Sequence, residues 1–212
     1  ESWRSHRWKS FRMVSPNFLN RLPGYPYSGD DHDGFLTSRE MVDYLDGYAR
    51  SFGAPVHDST PVLSIKQEGD HFVVWTDVGE IHTRAVVVAT GAHQRPFIPP
   101  IASSIPTRVS QIHADRYWEP DHLPKGDVLV VGGGQSGTQI ALELRSAGRA
   151  VYLSAGRCAW YPRRLYGRDI LWWRDQMGEF ETLVDTLPDP AAARLACTPL
   201  IRWGEKDLSL RT

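Results

Sequence analysis

Residues 127–157 constrain the fold more than any other stretch of the chain. Asp127 to Val131 is a short apolar run. Gly132-Gly133-Gly134-Gln135-Ser136-Gly137 follows at once, and Thr138 to Ala147 places Ile140, Ala141 and Leu144 on one helical face. Ala150 to Leu153 is a second apolar run. A G-x-G-x-x-G spacing is a weak signal by itself. Between a strand and a helix, inside a unit of βαβ length, it is a strong one. Gly132 suits the tight turn, Gly134 lets backbone approach a pyrophosphate, and Gly137 lets helix and strand pack closely. The helix beyond offers free N–H groups and a positive dipole end to phosphates, so a dinucleotide is expected over Gly132, Gly134, Gln135, Ser136 and Gly137. The bland alternative is a structural glycine turn.

The end of the second run decides between nucleotides. NAD sites carry Asp or Glu there, on the ribose 2′-hydroxyl. Here the residues are Ser154-Ala155-Gly156-Arg157. A hydroxyl and a guanidinium suit a 2′-phosphate, so NADPH is expected, with Ser154 and Arg157 as its ligands and Arg163 and Arg164 in reserve. The alternative for Arg157 is a solvated loop cation.

Composition narrows the remaining classes. Among 212 residues, 41% are apolar and 23% charged, with a net charge of −1. These are ordinary values for a globular protein, and nothing in them favours nucleic acid. No apolar run approaches the ~20 residues that span a bilayer. Cys158 and Cys197 are the only two cysteines, which excludes a disulfide framework and a CxxC redox pair and fits a reducing cytoplasm. Histidines are scattered singly, without metal-ligand spacing.

Along the chain, residues 1–36 read as a long ordered loop rich in aromatics, Arg, Pro and Gly. Thr37 and Glu40 have capping-box spacing, Met41, Leu45, Tyr48 and Phe52 recur at helical intervals, and Gly53 is a stop. Residues 61–90 read as a β-meander: Pro61–Ile65, His71–Thr76, a short weak piece at Glu80–Thr83, and a fully buried strand over Arg84–Thr90. The prolines at 96, 99, 100 and 106 mark a connector. A helix is expected near Arg168–Phe180 and a short one over Ala191–Cys197.

Several segments together resemble the FAD- and NADPH-dependent class B monooxygenases, which include the flavin-containing monooxygenases, the plant indole-pyruvate monooxygenases and a bacterial flavoprotein subgroup. Tyr44-Leu45-Asp46-Gly47-Tyr48-Ala49-Arg50-Ser51-Phe52-Gly53 matches the YLxxYAxxFG helix. Ala89-Thr90-Gly91 matches the ATG motif, and His113 to Tyr117 matches the HxxxY end of the family fingerprint. The fingerprint's opening FxG is replaced, with Thr107 and Val109 at those positions.

The resemblance implies an α/β flavoprotein with two dinucleotide-binding, Rossmann-like domains and a β-meander, truncated at both ends. Residues 1–106 would be a partial FAD-binding domain lacking its first βαβ unit, and 107–212 an incomplete NADPH-binding domain. Trp3-Arg4 would flank the flavin and Asn17 would hydrogen-bond it or its peroxide. The backbone at Val62 would meet the adenine, Thr90 and Gly91 would line the flavin site, and His113 would orient the linker and cofactor. Read as residues alone, Asn17 is equally a turn Asn after Pro16 and His113 a satisfied polar group.

The implied chemistry is transfer of hydride from NADPH to FAD. One oxygen atom of O2 would then be inserted into a small-molecule substrate through a C4a-(hydro)peroxyflavin. The rivals are a flavoprotein reductase passing electrons to an acceptor and a non-catalytic NADP-binding module. This piece alone is expected to be inactive, and homo-oligomerisation stays open.

Overall fold

The computed structural model describes residues 2–91, 95–156, 160–191 and 200–207. Arg157, Cys158, Cys197 and the expected helix over 191–197 lie wholly or almost wholly outside them. Contacts divide the chain into two compact units, Asp46–Ser104 and the combination of Glu1–Leu45 with Ile105–Thr212.

The smaller unit is built on an antiparallel meander, β3 (Val62–Glu68), β4 (His71–Thr76) and β5 (Gly79–Thr83), in that order. Gly69 and Gly79 sit at the two reversals with positive φ, which spares the turns a Cβ clash. Thr76 Oγ1 donates to the Gly79 carbonyl at 2.7 Å and closes the second turn. β5 is a full strand, paired along its length with β4 from Phe72↔Thr83 to Thr76↔Gly79, rather than a weak one. The central strand buries Val73 and Val74, one on each face.

Residues 84–90 differ from expectation. They form no strand, and Val87 is 88% exposed. A strand apolar on both faces is stable only between neighbours that take its N–H and C=O groups, and among the described residues no strand pairs with it. The helix before the meander, α2 (Ser38–Ser51), ends as the sequence suggests. Gly53 adopts φ +68°, its N–H donates to the Arg50 carbonyl at 3.2 Å, and the Ala54 N–H donates to Ala49 at 2.9 Å, a Schellman stop.

The larger unit opens with the short helix α1 (Ser2–Ser5), a 3₁₀ turn over Asn17–Leu19 and a hairpin, β1 (Arg21–Leu22) with β2 (Tyr25–Pro26). The expected loop is therefore partly regular. Tyr44 Oη donates to the Tyr25 carbonyl at 2.6 Å and accepts from the Leu22 N–H at 3.1 Å, holding the hairpin against α2. The capping box forms: Thr37 N–H and Oγ1 both donate to Glu40 Oε2 at 2.8 Å, and Glu40 N–H donates back to Thr37 Oγ1.

β6 (Val128–Val131) and β7 (Val151–Ser154) run parallel in register around α3 (Gln135–Ser146). Ile140 and Leu144 of α3 meet Trp8 and Tyr117, with Phe11, Val128, Val130 and Val151 packed around them. This is the unit's main core, and Leu144 is fully buried. The opposite sheet face, with Leu129, Val131 and Tyr152, is exposed. Beyond it come β8 (Trp160–Leu165), β9 (Arg168–Asp169), α4 (Ile170–Gln176) and β10 (Leu200–Asp207), with β8 between β10 and β9. α4 occupies the middle of the expected 168–180 span. It starts where Asp169 caps it, and it gives way after Met177 at Gly178, which adopts φ +69°.

Candidate functional site

The glycine turn is built by its backbone. Gly132 has φ +110°, a conformation that excludes other L-residues, and its N–H donates to the Ser154 carbonyl at 2.8 Å. That bond fastens the turn to the end of β7. A Cβ placed on Gly137 would overlap the Gly132 carbonyl oxygen and sit 3.1 Å from its carbon, so only glycine permits this approach of helix to strand.

Gly134 is the N-cap of α3, with no side-chain cap on the helix and open space where a Cβ would be. The first N–H groups of α3 therefore have no side-chain acceptor and lie at the positive end of a helix, the arrangement that holds pyrophosphate. Thr138 Oγ1 turns back to the carbonyls of Gly134 and Gln135 at 3.1 and 3.0 Å, away from the free N–H groups. Gln135 Oε1 is buried with no hydrogen-bond partner among the described residues. Ser136 is exposed, as is Ser154 at the β7 end. These residues fit a dinucleotide phosphate.

The remaining sequence candidates fall in different surroundings. Trp3 stacks tilted on Phe11 at 5.9 Å, and the Arg7 guanidinium lies 4.7 Å over the Trp3 ring. Arg4 is exposed. Asn17 is only 3% exposed: its N–H donates to the Gly34 carbonyl at 2.9 Å and Nδ2 to the Asp31 carbonyl at 2.8 Å. His113 caps a 3₁₀ turn over Ala114–Arg116, accepting from the Asp115 N–H, with the Asp115 carboxylate 2.8 Å from Nδ1. In the smaller unit Val62 is exposed at the start of β3, and Thr90 and Gly91 are exposed at the end of the 84–91 segment. Gly91 adopts φ +78°.

Arg163 does not serve as a reserve phosphate ligand. It is 4% exposed and paired with Asp169, Nε to Oδ2 at 2.6 Å, while Nη2 donates to the Val14 carbonyl and the guanidinium stacks 4.4 Å from Phe35. Asp169 Oδ1 accepts from the Leu171 N–H and caps α4. Burial pushes Asp169 up and Arg163 down, each toward its neutral form, and each partner's charge opposes the shift. The pair joins the 12–17 loop to β8 and α4. The one sequence cue to it is Asp169 standing directly before an apolar helical run.

Two further residues brace the elements around the turn, and only the first has a sequence cue, as part of the HxxxY match. Tyr117, the last residue of the HxxxY segment, is buried, and its hydroxyl donates to Glu143 of α3 at 2.9 Å. Burial raises its phenol pKa, and Glu143 adds to the rise. Arg149, three residues beyond the end of α3, donates to the carbonyls of Pro120, Pro124 and Gly126 at 3.4, 2.6 and 2.7 Å. Among the described residues no cluster of His, Cys, Asp and Glu could hold a metal, and no helix is long and apolar enough to cross a membrane.

Known proteins share this fold. A double mutant of a flavin monooxygenase from Stenotrophomonas maltophilia superimposes with a TM-score of 0.68 at 23% identity, over 97% of this chain and 60% of that one. The fold is thus that of the α/β flavoprotein oxidoreductases, with Rossmann-like dinucleotide-binding units.

Residues 9–165 match the model of the pyridine nucleotide-disulphide oxidoreductase family, and the chain belongs to that family. An oxidoreductase of Geobacillus kaustophilus, named as uncharacterized and CzcO-like, is 43% identical over 83% of this chain and 50% of its own length. Flavin-containing monooxygenase 1 of Mus musculus is 27% identical over 96% of this chain and 41% of its own length. The chain spans about half the length of the curated relatives it matches. The resemblance to flavin monooxygenases read from the sequence is borne out by these relatives.

Proposed function

We propose that the chain supplies the NADPH-binding unit and part of the flavin site of an FAD- and NADPH-dependent monooxygenase. The observation that carries the reading is the glycine turn. Its helix start has no side-chain cap, it is fastened to Ser154, and the strand end there carries no acidic residue.

In this reading the backbone around Gly132, Gly134, Gln135, Ser136 and Gly137 binds the pyrophosphate, and Ser154 and Arg157 take the 2′-phosphate. Trp3, Arg4, Asn17, Val62, Thr90 and Gly91 belong to the flavin site, and His113 stiffens the linker. By cofactor, residues 1–106 go to the flavin and 107–212 to NADPH. A bound flavin would supply the redox chemistry, in which two electrons from NADPH and two from a small-molecule substrate reduce O2, one oxygen atom entering the substrate and the other leaving as water. The protein's share is orientation and exclusion of water. The low cysteine count fits a cytoplasmic setting.

Two measurements test this. NADPH should bind at least about tenfold more tightly than NADH, and Arg157→Ala should abolish the difference, since a bidentate charged contact is lost. Equal affinities would end the NADPH assignment. Oxygenated product formed one-for-one with NADPH oxidised, in the protein extended to its relatives' length, supports oxygenation. Electron transfer without oxygenated product would favour the reductase reading, which the family's disulphide oxidoreductase description also accommodates. Cys158 and Cys197 are not spaced as a redox pair, which weighs against a disulfide as acceptor.

A further inference from the structure

The tip of the β8–β9 hairpin carries a tyrosine in a conformation that suits it poorly. Tyr166 and Gly167 alone join the two strands, and both adopt positive φ, +50° and +73°. In such a two-residue turn the first position favours Asn, Asp or Gly, and a bulky side chain there is an outlier. Packing gives little in return. Tyr166 is 70% exposed, and its ring meets Trp173 edge-on at 6.4 Å. A strained residue kept at the surface marks a contact that the chain's own packing does not explain.

The ring heads a continuous surface cluster. Trp173 packs edge-on against Trp172 at 4.9 Å, and the Arg168 guanidinium lies 5.2 Å over the Trp172 ring. Arg168 in turn reaches Asp33 at 3.7 Å, with both side chains half-exposed. Met177, 72% exposed, lies one turn beyond Trp173 on α4, and its N–H donates to the Trp173 carbonyl. Aromatic residues, Met and Arg are the types enriched where protein surfaces meet.

The charges select the partner. The Arg168–Asp33 pair is long and open to water, and such a pair contributes little within its own chain. Asp33 would repel an acidic partner, and Arg168 a basic one. A patch with both signs side by side is complementary to itself, because a two-fold axis can set each cation against the other copy's anion.

We propose that this cluster is the interface of a homodimer. Arg168 of one protomer pairs with the partner's Asp33, and Tyr166 and Met177 pack across the axis against the same cluster of the partner. Six side chains are few beside the about 20–30 residues a side of a standard interface, so the dimer is weak and reversible.

The test is sedimentation of the 212-residue chain over a concentration series, with melting temperature read in parallel. The wild type should show a reversible monomer–dimer equilibrium. Tyr166→Asn supplies the residue that the turn prefers. It should keep or raise the melting temperature and weaken dimerisation at least about tenfold. Asp33→Arg and Arg168→Asp should each weaken dimerisation alone. An equimolar mixture of those two variants should associate at least as well as the wild type, since each copy then presents the charge that the other lacks. Mixing cannot restore a pair made within one chain, so this readout belongs to contact between copies.

A wild type that stays monomeric at every concentration overturns the proposal. So does a mixture that associates no better than its components, or a Tyr166→Asn variant that dimerises normally or melts lower. Association abolished by Val87→Lys but kept in Tyr166→Asn would assign it to the exposed apolar run of the smaller unit instead. A monomeric protein of the relatives' full length, beside a dimeric 212-residue chain, would show that further chain covers the cluster, and also overturns it.

Discussion

Gly137 shows how one missing methyl group governs a site. The Gly132 carbonyl stands where its Cβ would go, so Gly137→Ala must push α3 off β6. The expected result is loss of most NADP+ affinity together with a drop in stability of about 1–3 kcal/mol, the usual cost of overpacking. Calorimetric titration and urea unfolding would check it; an alanine variant with normal affinity would contradict the close approach. The Arg163–Asp169 pair is governed by desolvation in the same way. Asp169→Ala strands a buried guanidinium and removes the α4 cap, and should cost about 3–5 kcal/mol in urea unfolding. A cost below about 1 kcal/mol, the worth of a surface pair, would mean that the site is wetter than it looks. The sequence suggested the glycine turn residue by residue, because each glycine answers to a local backbone need. It misplaced Arg163, because whether an arginine faces phosphate or a buried carboxylate depends on what packs over it, here Phe35 and Val14 from far upstream.

At the scale of elements, α2 was readable from both ends, since its capping box and its Gly53 stop are made by residues within a few positions of the helix. The cap also gives a pH signature. Hydrogen bonds from the Thr37 N–H, then from its hydroxyl, hold Glu40 below the usual carboxylate range. A carboxylate lowered in the folded state adds stability that is fully present above its unfolded pKa. That stability is lost as pH falls through the lowered value. Glu40→Gln should therefore be less stable than the wild type at about pH 7, and the gap should close on acidification; a gap constant down to about pH 2 would refute the assignment. Thr37→Ala should cost about 1 kcal/mol, the typical worth of an N-cap. The 84–90 run was unreadable by contrast. Its composition is that of a central strand, but strandedness is a property of neighbours, and composition says nothing about whether they are present.

For the molecule as a whole, the exposed apolar residues are the main departure from an ordinary domain. Val87, Val88, Phe97 and Ile101 in one unit, and Leu129, Val131 and Tyr152 in the other, lie open to solvent. Large apolar side chains open to solvent favour association. Val87→Lys should leave the melting temperature unchanged, since an exposed side chain is replaced, while reducing hydrophobic-dye fluorescence and aggregation on concentration. A lowered melting temperature would show that Val87 is packed in solution. The α/β class and the dinucleotide turn were legible because local periodicity encodes them. The partition into Asp46–Ser104 and the remainder was not, because it depends on which distant segments touch.

Arg149 gathers carbonyls from Pro120, Pro124 and Gly126. Two of the three belong to prolines, whose φ is fixed before the chain folds. The guanidinium thus closes on a segment with little freedom left to surrender, and part of the clamp's strength resides in the stiffness of the denatured chain. Pro124→Ala would keep every hydrogen bond of the clamp and still weaken the fold, by letting the unfolded ensemble wander further.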